Sequence, residues 1–219
     1  MSNKVYMCLF LFLLSITSVD CFSINMIKLP PIDVMGGAPI NNVIKHRRSV
    51  RKFVANKNLT RVQIAQLLWA GQGVTVQSDR FRTVPSAGAL YPIELYVVKN
   101  DGIWHYETAS NSINLIINRD LRKQLAQAAL SQMFIKDAAA IIVIVGVYRR
   151  TTQKYGERGI AYVNIEAGAV MQNILLETVN LGLAVTPIGA FYNQQVRQLL
   201  KLSKNQTPLL IIPIGYANK

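Results

Sequence analysis

The stretch Pro85-Ser86-Ala87-Gly88-Ala89-Leu90-Tyr91-Pro92 runs directly into a strand-like segment at residues 93–98, and it decides how the rest of the chain is interpreted. Two prolines bracket four consecutive small residues, which describes a rigid loop with almost no side-chain volume. The backbone of such a loop can lie against a flat ligand. A simple connection into a strand would explain the prolines, but it would not explain the four small residues.

Composition predicts one globular domain. The chain has 219 residues, of which 51% are hydrophobic and 16% are charged, so it can bury a substantial core. The net charge of +13 favours anionic partners. The basic residues are scattered, however, and the sequence has no dense run of Lys and Arg interleaved with aromatic residues, which disfavours a nucleic-acid groove.

Residues 1–23 have the composition of a secretory signal peptide. Their apolar core at residues 8–16 is too short for a permanent membrane span, and Cys21 and Ser23 suit cleavage after Ser23 better than lipidation at Cys21. We therefore expect export to the periplasm or the exterior, whereas translation from Met26 would give a cytoplasmic protein. Both cysteines lie in this segment, so the mature domain would have no disulfide and no catalytic thiol.

Periodicity predicts helices and strands mixed without a regular strand-helix-strand rhythm, which indicates an α+β fold. A Pro- and Gly-rich extended arm at residues 24–40 precedes the domain at residues 41–219. Predicted strands occupy residues 93–98, 103–107, 113–117, 138–147 and 208–215. Predicted helices, with Asn41, Thr60 and Asn193 as caps, occupy residues 42–48, 61–70, 120–132, 160–181 and 194–202. The helix at 160–181 is the candidate for a buried central or dimer-forming helix, and residues 148–159 predict a polar loop.

Two further segments have the chemistry of a binding site. Arginine guanidinium groups make charge-assisted bonds to phosphate, and a serine hydroxyl adds a donor. A cluster of this kind is formed by Arg47, Arg48, Ser49 and Arg51. Taken alone, it is more typical of a solvated helix end. The second segment is the turn Pro187-Ile188-Gly189, which by itself is weak evidence for a binding site.

Together the three segments resemble the flavin-binding elements of the nitroreductase fold. The resemblance implies an α+β fold with a central, mostly antiparallel sheet flanked by helices, and a homodimer with FMN at its interface. It implies that the flavin phosphate and ribitol are held by Arg47, Arg48, Ser49 and Arg51. It also implies that the isoalloxazine ring, commonly that of the second subunit, lies along Pro85, Ser86, Ala87 and Gly88. The flavin N5 would face the segment Pro187, Ile188 and Gly189, with the Gly189 amide as donor.

Two details resemble the SagB-type dehydrogenase branch of this family. Ala89 stands where many nitroreductases have an asparagine that meets the flavin. The segment Lys154-Tyr155-Gly156-Glu157-Arg158-Gly159 resembles a loop in which thiazoline and oxazoline dehydrogenases use a Lys-Tyr pair. Oxidation of an azoline ring removes a hydride and a proton, so the resemblance implies Lys154 as base and Tyr155 as proton relay. An exposed loop in which Lys154 is an ordinary surface charge stays equally open.

The expected activity is FMN-dependent oxidation of a small heterocyclic or peptide-derived substrate. An NAD(P)H-dependent nitroreductase or quinone reductase is the close alternative, and a flavin-binding envelope protein without turnover is the alternative from another class. Many nitroreductases place a further cation on the flavin phosphate after the last strand, where only Lys219 is available here. The two histidines, His46 and His105, have no metal-ligand spacing, so no metal site is expected.

Overall fold

The computed structural model describes residues 26–76, 78 and 81–218. The predicted signal peptide, both cysteines and Lys219 lie outside these residues. The strands are β1 (Met26–Lys28), β2 (Val74–Val76), β3 (Phe81–Arg82), β4 (Ile93–Lys99), β5 (Gly102–Glu107), β6 (Ser112–Ile117), β7 (Ala140–Gly146), β8 (Ala184–Val185) and β9 (Thr207–Gly215). The helices are α1 (Ile40–His46), α2 (Arg61–Gln72), α3 (Arg122–Ala128), α4 (Tyr148–Tyr155), α5 (Arg158–Asn180) and α6 (Asn193–Leu199).

Seven of the strands form one antiparallel sheet in the order β1-β6-β5-β4-β7-β9-β8, and β2 and β3 form a separate small ribbon. The interior strand β7, between β4 and β9, is buried along its whole length, as its uncharged, mostly β-branched sequence predicts. β4 and β5 form a hairpin whose turn includes Asn100 and Asp101. The five strands predicted from the sequence are all present.

Alternate residues of the central strands face opposite sides of the sheet. In β4, Leu95 and Val97 belong to the core that α2 and α5 cover, whereas Tyr96 and Val98 belong to the core that α3 and α6 cover. Helices therefore flank the sheet on both faces, and the expected α+β architecture is confirmed.

Helix α2 begins with a capping box. The Thr60 hydroxyl accepts from the Gln63 amide at 3.1 Å, and the Gln63 side chain accepts from the Thr60 amide at 2.9 Å. Gly71, near the other end, lies so close to α5 and β4 that an added Cβ would stand 3.0 Å from Ile174 Cδ1 and 3.1 Å from Leu95 Cδ1. The cap fixes where α2 starts, and the glycine lets it pack tightly against its neighbours.

The prediction of a polar loop at residues 148–159 is wrong, because most of these residues form α4. Thr151 is buried and Tyr148 and Tyr155 are half-buried, so residues at helical spacing face the protein while the rest of the helix is polar. Gly156, with φ of +56°, follows the helix. Two tyrosines and one threonine make a stripe too polar to be recognised from composition.

Several predicted boundaries also differ. The helix predicted at residues 120–132 ends at Ala128, because Leu130 and Ser131 turn the backbone into the left-handed region. Neither Asn41 nor Asn193 is a cap, since α1 begins after Pro39 and α6 after Tyr192. The arm predicted at residues 24–40 is not wholly irregular: its residues 26–28 form β1, which pairs with β6 at the sheet edge.

None of the helices in the described part of the chain is long and apolar enough to cross a membrane. The longest, α5, buries Val163, Ala167, Val170 and Ile174 against the sheet and α2. One face of this helix is therefore buried, as expected, and its part in a dimer stays a prediction.

Candidate active site

The structure brings the arginine cluster and the Pro187-Ile188-Gly189 turn together. Ser49 pairs with Val185 in a parallel bridge, and the Val50 amide donates to the Val185 carbonyl at 2.9 Å. Val185 ends β8, and the turn follows one residue later. Two segments far apart in sequence therefore meet at this edge of the sheet.

The cluster presents donors at the protein surface. Ser49 and Arg51 are exposed and Arg47 is half-buried, and no hydrogen bond within the described residues uses the Arg47 or Arg51 side chain. Arg48 differs, because its Nη1 donates to the carbonyls of Lys45 at 3.0 Å and Arg47 at 2.7 Å. Arg48 therefore satisfies the C-terminal end of α1 with part of its guanidinium.

The turn offers open space beside a free donor. Ile188 is buried and exchanges both backbone hydrogen bonds with Ile211, at 2.8 and 2.9 Å. Gly189 is exposed, a Cβ added there would meet nothing within 4 Å, and no hydrogen bond in the described part of the chain uses its amide. The backbone of the turn is therefore fixed to the sheet at Ile188, while the Gly189 amide remains available to donate a hydrogen bond to a ligand.

A second group of site residues forms around Gly88. A Cβ added at Gly88 would stand 2.7 Å from the Tyr155 hydroxyl and 3.0 Å from Lys154 Nζ. The backbone of Gly88 has φ of +62°, within a short 3-10 turn at Ala87–Ala89. The small-residue loop at residues 85–92, which we call the ligand loop, is thus in contact with the Lys-Tyr pair of the same chain.

Lys154 and Tyr155 lie at the end of α4, which packs closely on the start of α5. A Cβ at Gly159 would stand 2.9 Å from the Thr152 Cα atom. The Tyr155 ring packs edge-on against Tyr162, with centroids 5.2 Å apart. Lys154 itself is exposed. The pair is therefore carried by an anchored helix, while the lysine amine stays accessible.

Glu94 is a polar residue that the sequence did not single out. Its carboxylate contacts His105 Nε2 at 3.2 Å, accepts from Gln206 Nε2 at 2.9 Å, and pairs with Arg150 of α4. The His105 hydrogen bond and the Arg150 charge outweigh burial and lower the pKa of Glu94 to about 2. Arg150 Nη1 also donates to the Tyr91 carbonyl at 3.1 Å, so this ion pair links α4 to the ligand loop.

Glu166 is a second missed residue, 3% exposed on the inner side of α5. Burial raises the pKa of its carboxyl, although the nearby Ser86 hydroxyl, the Gln72 amide and the Arg82 charge act in the opposite direction. The signal was present in the sequence: Glu166 interrupts the apolar stripe that Val163, Ala167 and Val170 would otherwise continue. A charged residue at such a position needs a partner.

The two groups of site residues are not hydrogen-bonded to each other within the described part of the chain. No hydrogen bond among residues 26–76, 78 and 81–218 joins residues 47–51 or 187–189 to the ligand loop or to the Lys-Tyr pair. The same described residues contain no cluster of three or more His, Cys, Asp and Glu that could hold a metal ion.

Comparison with known proteins identifies the family. The family model described as "Nitroreductase family" matches residues 44–216. The chain belongs to the nitroreductase family. A protein of Methanocaldococcus jannaschii named "Putative nitroreductase" is 40% identical to this family member over 195 residues, covering 86% of this chain and 95% of that protein.

Solved structures agree with the nitroreductase fold. A "putative nitroreductase" of Ralstonia eutropha has a TM-score of 0.80 at 26% identity, covering 89% of this chain and 90% of its own. A chain of the Escherichia coli microcin synthetase McbBCD complex, with truncated pro-MccB17 bound, has a TM-score of 0.69 at 19% identity, covering 96% and 85%. The NADPH:FMN oxidoreductase of Vibrio harveyi, complexed with NAD+, has a TM-score of 0.62 at 22% identity, covering 82% and 69%. Nitroreductases are flavin-dependent oxidoreductases, which confirms the expected enzyme class.

Proposed function

We propose that this nitroreductase is a homodimeric FMN-dependent dehydrogenase of the SagB type, which oxidises a small heterocyclic or peptide-derived substrate. The observation that carries the proposal is the contact of Gly88 with both Lys154 and Tyr155. In this contact an amine and a hydroxyl stand beside the loop that, by the resemblance, would face the flavin.

The residues present fit FMN. Arg47 and Arg51 have guanidinium groups without protein partners in the described chain, and Ser49 adds a hydroxyl, which is the donor set for a phosphate. The exposed Gly189 amide, with open space beside it, suits an acceptor on a planar ring. Bound FMN would supply two-electron chemistry by exchanging a hydride at N5.

A dimer would complete the site. One protomer would contribute residues 47–51 and 187–189, and its partner would contribute the ligand loop with Lys154 and Tyr155. Large apolar side chains on α1 and α5 are exposed and could cover one another across such an interface: Ile40 at 58%, Ile44 at 54%, Ile160 at 48% and Ile165 at 66%.

Lys154 and Tyr155 would handle the proton. The Lys154 amine takes a proton from the substrate carbon as the hydride leaves from the same ring, and the Tyr155 hydroxyl relays that proton. The likeness to a chain of the microcin synthetase complex, which has truncated pro-MccB17 bound, favours a peptide-derived substrate. The NADPH:FMN oxidoreductase favours the second candidate, an NAD(P)H-dependent nitroreductase or quinone reductase.

Spectral titration with FMN, followed by turnover assays, tests the proposal. Wild type should bind FMN, and Lys154→Ala should abolish azoline oxidation while quinone reduction by reduced flavin continues. Arg149→Ala removes a charge from the same helix and should keep both activities. Protein that stays colourless with FMN, or loss of both activities together in Lys154→Ala, would contradict the assignment.

The dimeric arrangement has its own test. Arg51→Ala and Lys154→Ala homodimers should each be impaired, whereas mixed dimers carrying one variant per subunit should regain one intact site.

Export is proposed separately, from the composition of residues 1–23. The measured mass of the mature protein would decide it, since cleavage after Ser23 leaves Ile24 as the first residue.

A further inference from the structure

The ligand loop holds an unfavourable backbone conformation. Gly88, Ala89 and Tyr91 have φ of +62°, +54° and +45°. Glycine adopts this left-handed region freely, but alanine and tyrosine do so at a steric cost. Such a conformation persists where surrounding contacts impose it.

A closed ring of side-chain interactions connects the two ends of this loop. The Tyr91 amide donates to Ser86 Oγ at 2.9 Å, and the Ser86 hydroxyl is one of the groups that lower the pKa of the buried Glu166 carboxyl. Gln72 Nε2 donates to Glu166 Oε1 at 3.4 Å, and Arg82 Nη1 donates to Gln72 Oε1 at 2.6 Å. The Arg82 guanidinium lies 4.4 Å from the centroid of the Tyr91 ring, which closes the ring.

The ring is built inside the protein. Gln72 is 1% exposed and Glu166 is 3% exposed, and they come from the two helices, α2 and α5, that pack together. Arg82 is half-buried, and burial lowers its pKa while the charge of Glu166 raises it. The buried carboxyl and guanidinium are therefore linked through Gln72, and each moderates the cost of burying the other.

Tyr91 is held at a third point. Its carbonyl accepts from Arg150 of α4, the helix that carries the Lys-Tyr pair. The amide, the ring and the carbonyl of Tyr91 are thus each fixed by a different side chain. Movement of this residue would carry with it the Gly88 backbone that lies against Lys154 and Tyr155.

We propose that Glu166 and Arg82 are positioning residues, which hold the ligand loop in its left-handed conformation through Ser86 and Tyr91. The relevance of this loop conformation to catalysis rests on the proposed flavin site. The positioning itself is a property of the flavin-free protein. Neither residue touches the Lys-Tyr pair in the contacts described above.

Hydrogen exchange of the flavin-free protein tests the positioning directly. In Glu166→Ala and in Arg82→Ala, the Tyr91 amide should exchange roughly tenfold faster or more than in wild type, while amides of the central strand β7 keep their rates. Glu166→Gln keeps an acceptor for Ser86 and should restore protection. Unchanged Tyr91 exchange in both alanine variants, or equal acceleration of β7, would overturn the proposal.

A second pair of variants guards against misfolding. Tyr91→Phe keeps the ring over Arg82 and should keep slow exchange at residue 91, whereas Tyr91→Ala loses the ring and should exchange faster. Equal exchange in the two variants would count against Arg82 as a positioning residue.

Flavin binding then separates this proposal from the proposed function. If FMN binds wild type, Glu166→Ala should weaken both FMN and riboflavin, because the loop faces the ring and not the phosphate. If FMN does not bind wild type, the flavin proposal fails while the exchange result still decides the role of Glu166. If Glu166→Ala exchanges faster at Tyr91 but binds FMN and riboflavin as tightly as wild type, the ligand loop does not contribute to binding of the flavin ring.

Discussion

Gly159 lies directly against the backbone of Thr152: a Cβ atom added at residue 159 would stand 2.9 Å from the Thr152 Cα and amide nitrogen. Backbone atoms cannot move aside as a flexible side-chain end can. This contact fixes α4, and with it Lys154 and Tyr155, onto the first turn of α5.

Gly159→Ala should therefore push α4 away from α5. We expect a loss of about 1–3 kcal/mol in the free energy of unfolding, as for other overpacked sites. Denaturant unfolding measures this loss. The control is Gly36→Ala, since the nearest atom to a Cβ there, Asp33 Oδ2, is 3.7 Å away, an ordinary contact. Equal stability of the two variants would show that α4 is not held by this contact.

Gly88→Ala tests the contact with the Lys-Tyr pair. The added methyl group would stand 2.7 Å from the Tyr155 hydroxyl and 3.0 Å from the Lys154 amine, so both groups would be displaced. Gly182→Ala is the matched control, because Gly182 has φ of +69° but open space around its Cβ position. Both variants should lose roughly 1–2 kcal/mol of stability from left-handed strain. Only Gly88→Ala should lose azoline oxidation, and parallel loss in Gly182→Ala would refute this assignment.

Arg51→Ala should weaken FMN and leave riboflavin unaffected, since riboflavin has no phosphate. A charge-assisted hydrogen bond contributes about 1.5–3 kcal/mol, which corresponds to roughly 10- to 150-fold in the dissociation constant. Flavin fluorescence titration gives both constants. Lys204→Ala removes an exposed charge elsewhere and should change neither. A similar loss of riboflavin affinity in Arg51→Ala would place this arginine away from the phosphate.

Glu94 should make folding stability depend on pH in the acidic range. Its pKa is about 2 in the folded protein against an ordinary 4.5, so the folded state binds fewer protons between these values. The stabilisation is fully present above about pH 4.5 and is lost as the pH falls towards 2. Wild type should exceed Glu94→Gln in stability at neutral pH, and the difference should shrink through this window.

Thermal unfolding across the same pH range provides the measurement. Glu107→Gln, an exposed glutamate on β5, is the control and should run parallel to wild type. A difference between wild type and Glu94→Gln that stays constant with pH would contradict the role given to the His105 and Arg150 contacts.

The sequence predicted the sheet better than the helices around it. The strand β7 has no charge and many β-branched residues, so its burial could be predicted from its composition. The helix α4 was missed because its inner stripe consists of two tyrosines and a threonine. Strand β1 was missed because three residues carry no periodicity, and their pairing with β6 depends on the rest of the fold.

The candidate site was predicted as separate motifs, and their grouping came from the structure. Motif resemblance named Gly88, Lys154 and Tyr155, but no local pattern shows that these residues touch. Glu166 and Arg82 were not predicted as site residues, because each is a single charged residue and the ring of interactions that connects them spans four elements of the fold. Long-range contacts of this kind are decided by tertiary packing, which sequence periodicity does not contain.

The bridge between Ser49 and Val185 also bears on when the cofactor can be acquired. It joins an early part of the chain to a late one, so the arginine cluster reaches its place only after almost all of the polypeptide has been synthesised and folded. A chain threaded unfolded through a membrane would have no assembled phosphate site during its passage. If residues 1–23 direct export and the arginine cluster binds the flavin phosphate as proposed, flavin loading must follow translocation, and free FMN on the far side sets how much active enzyme forms.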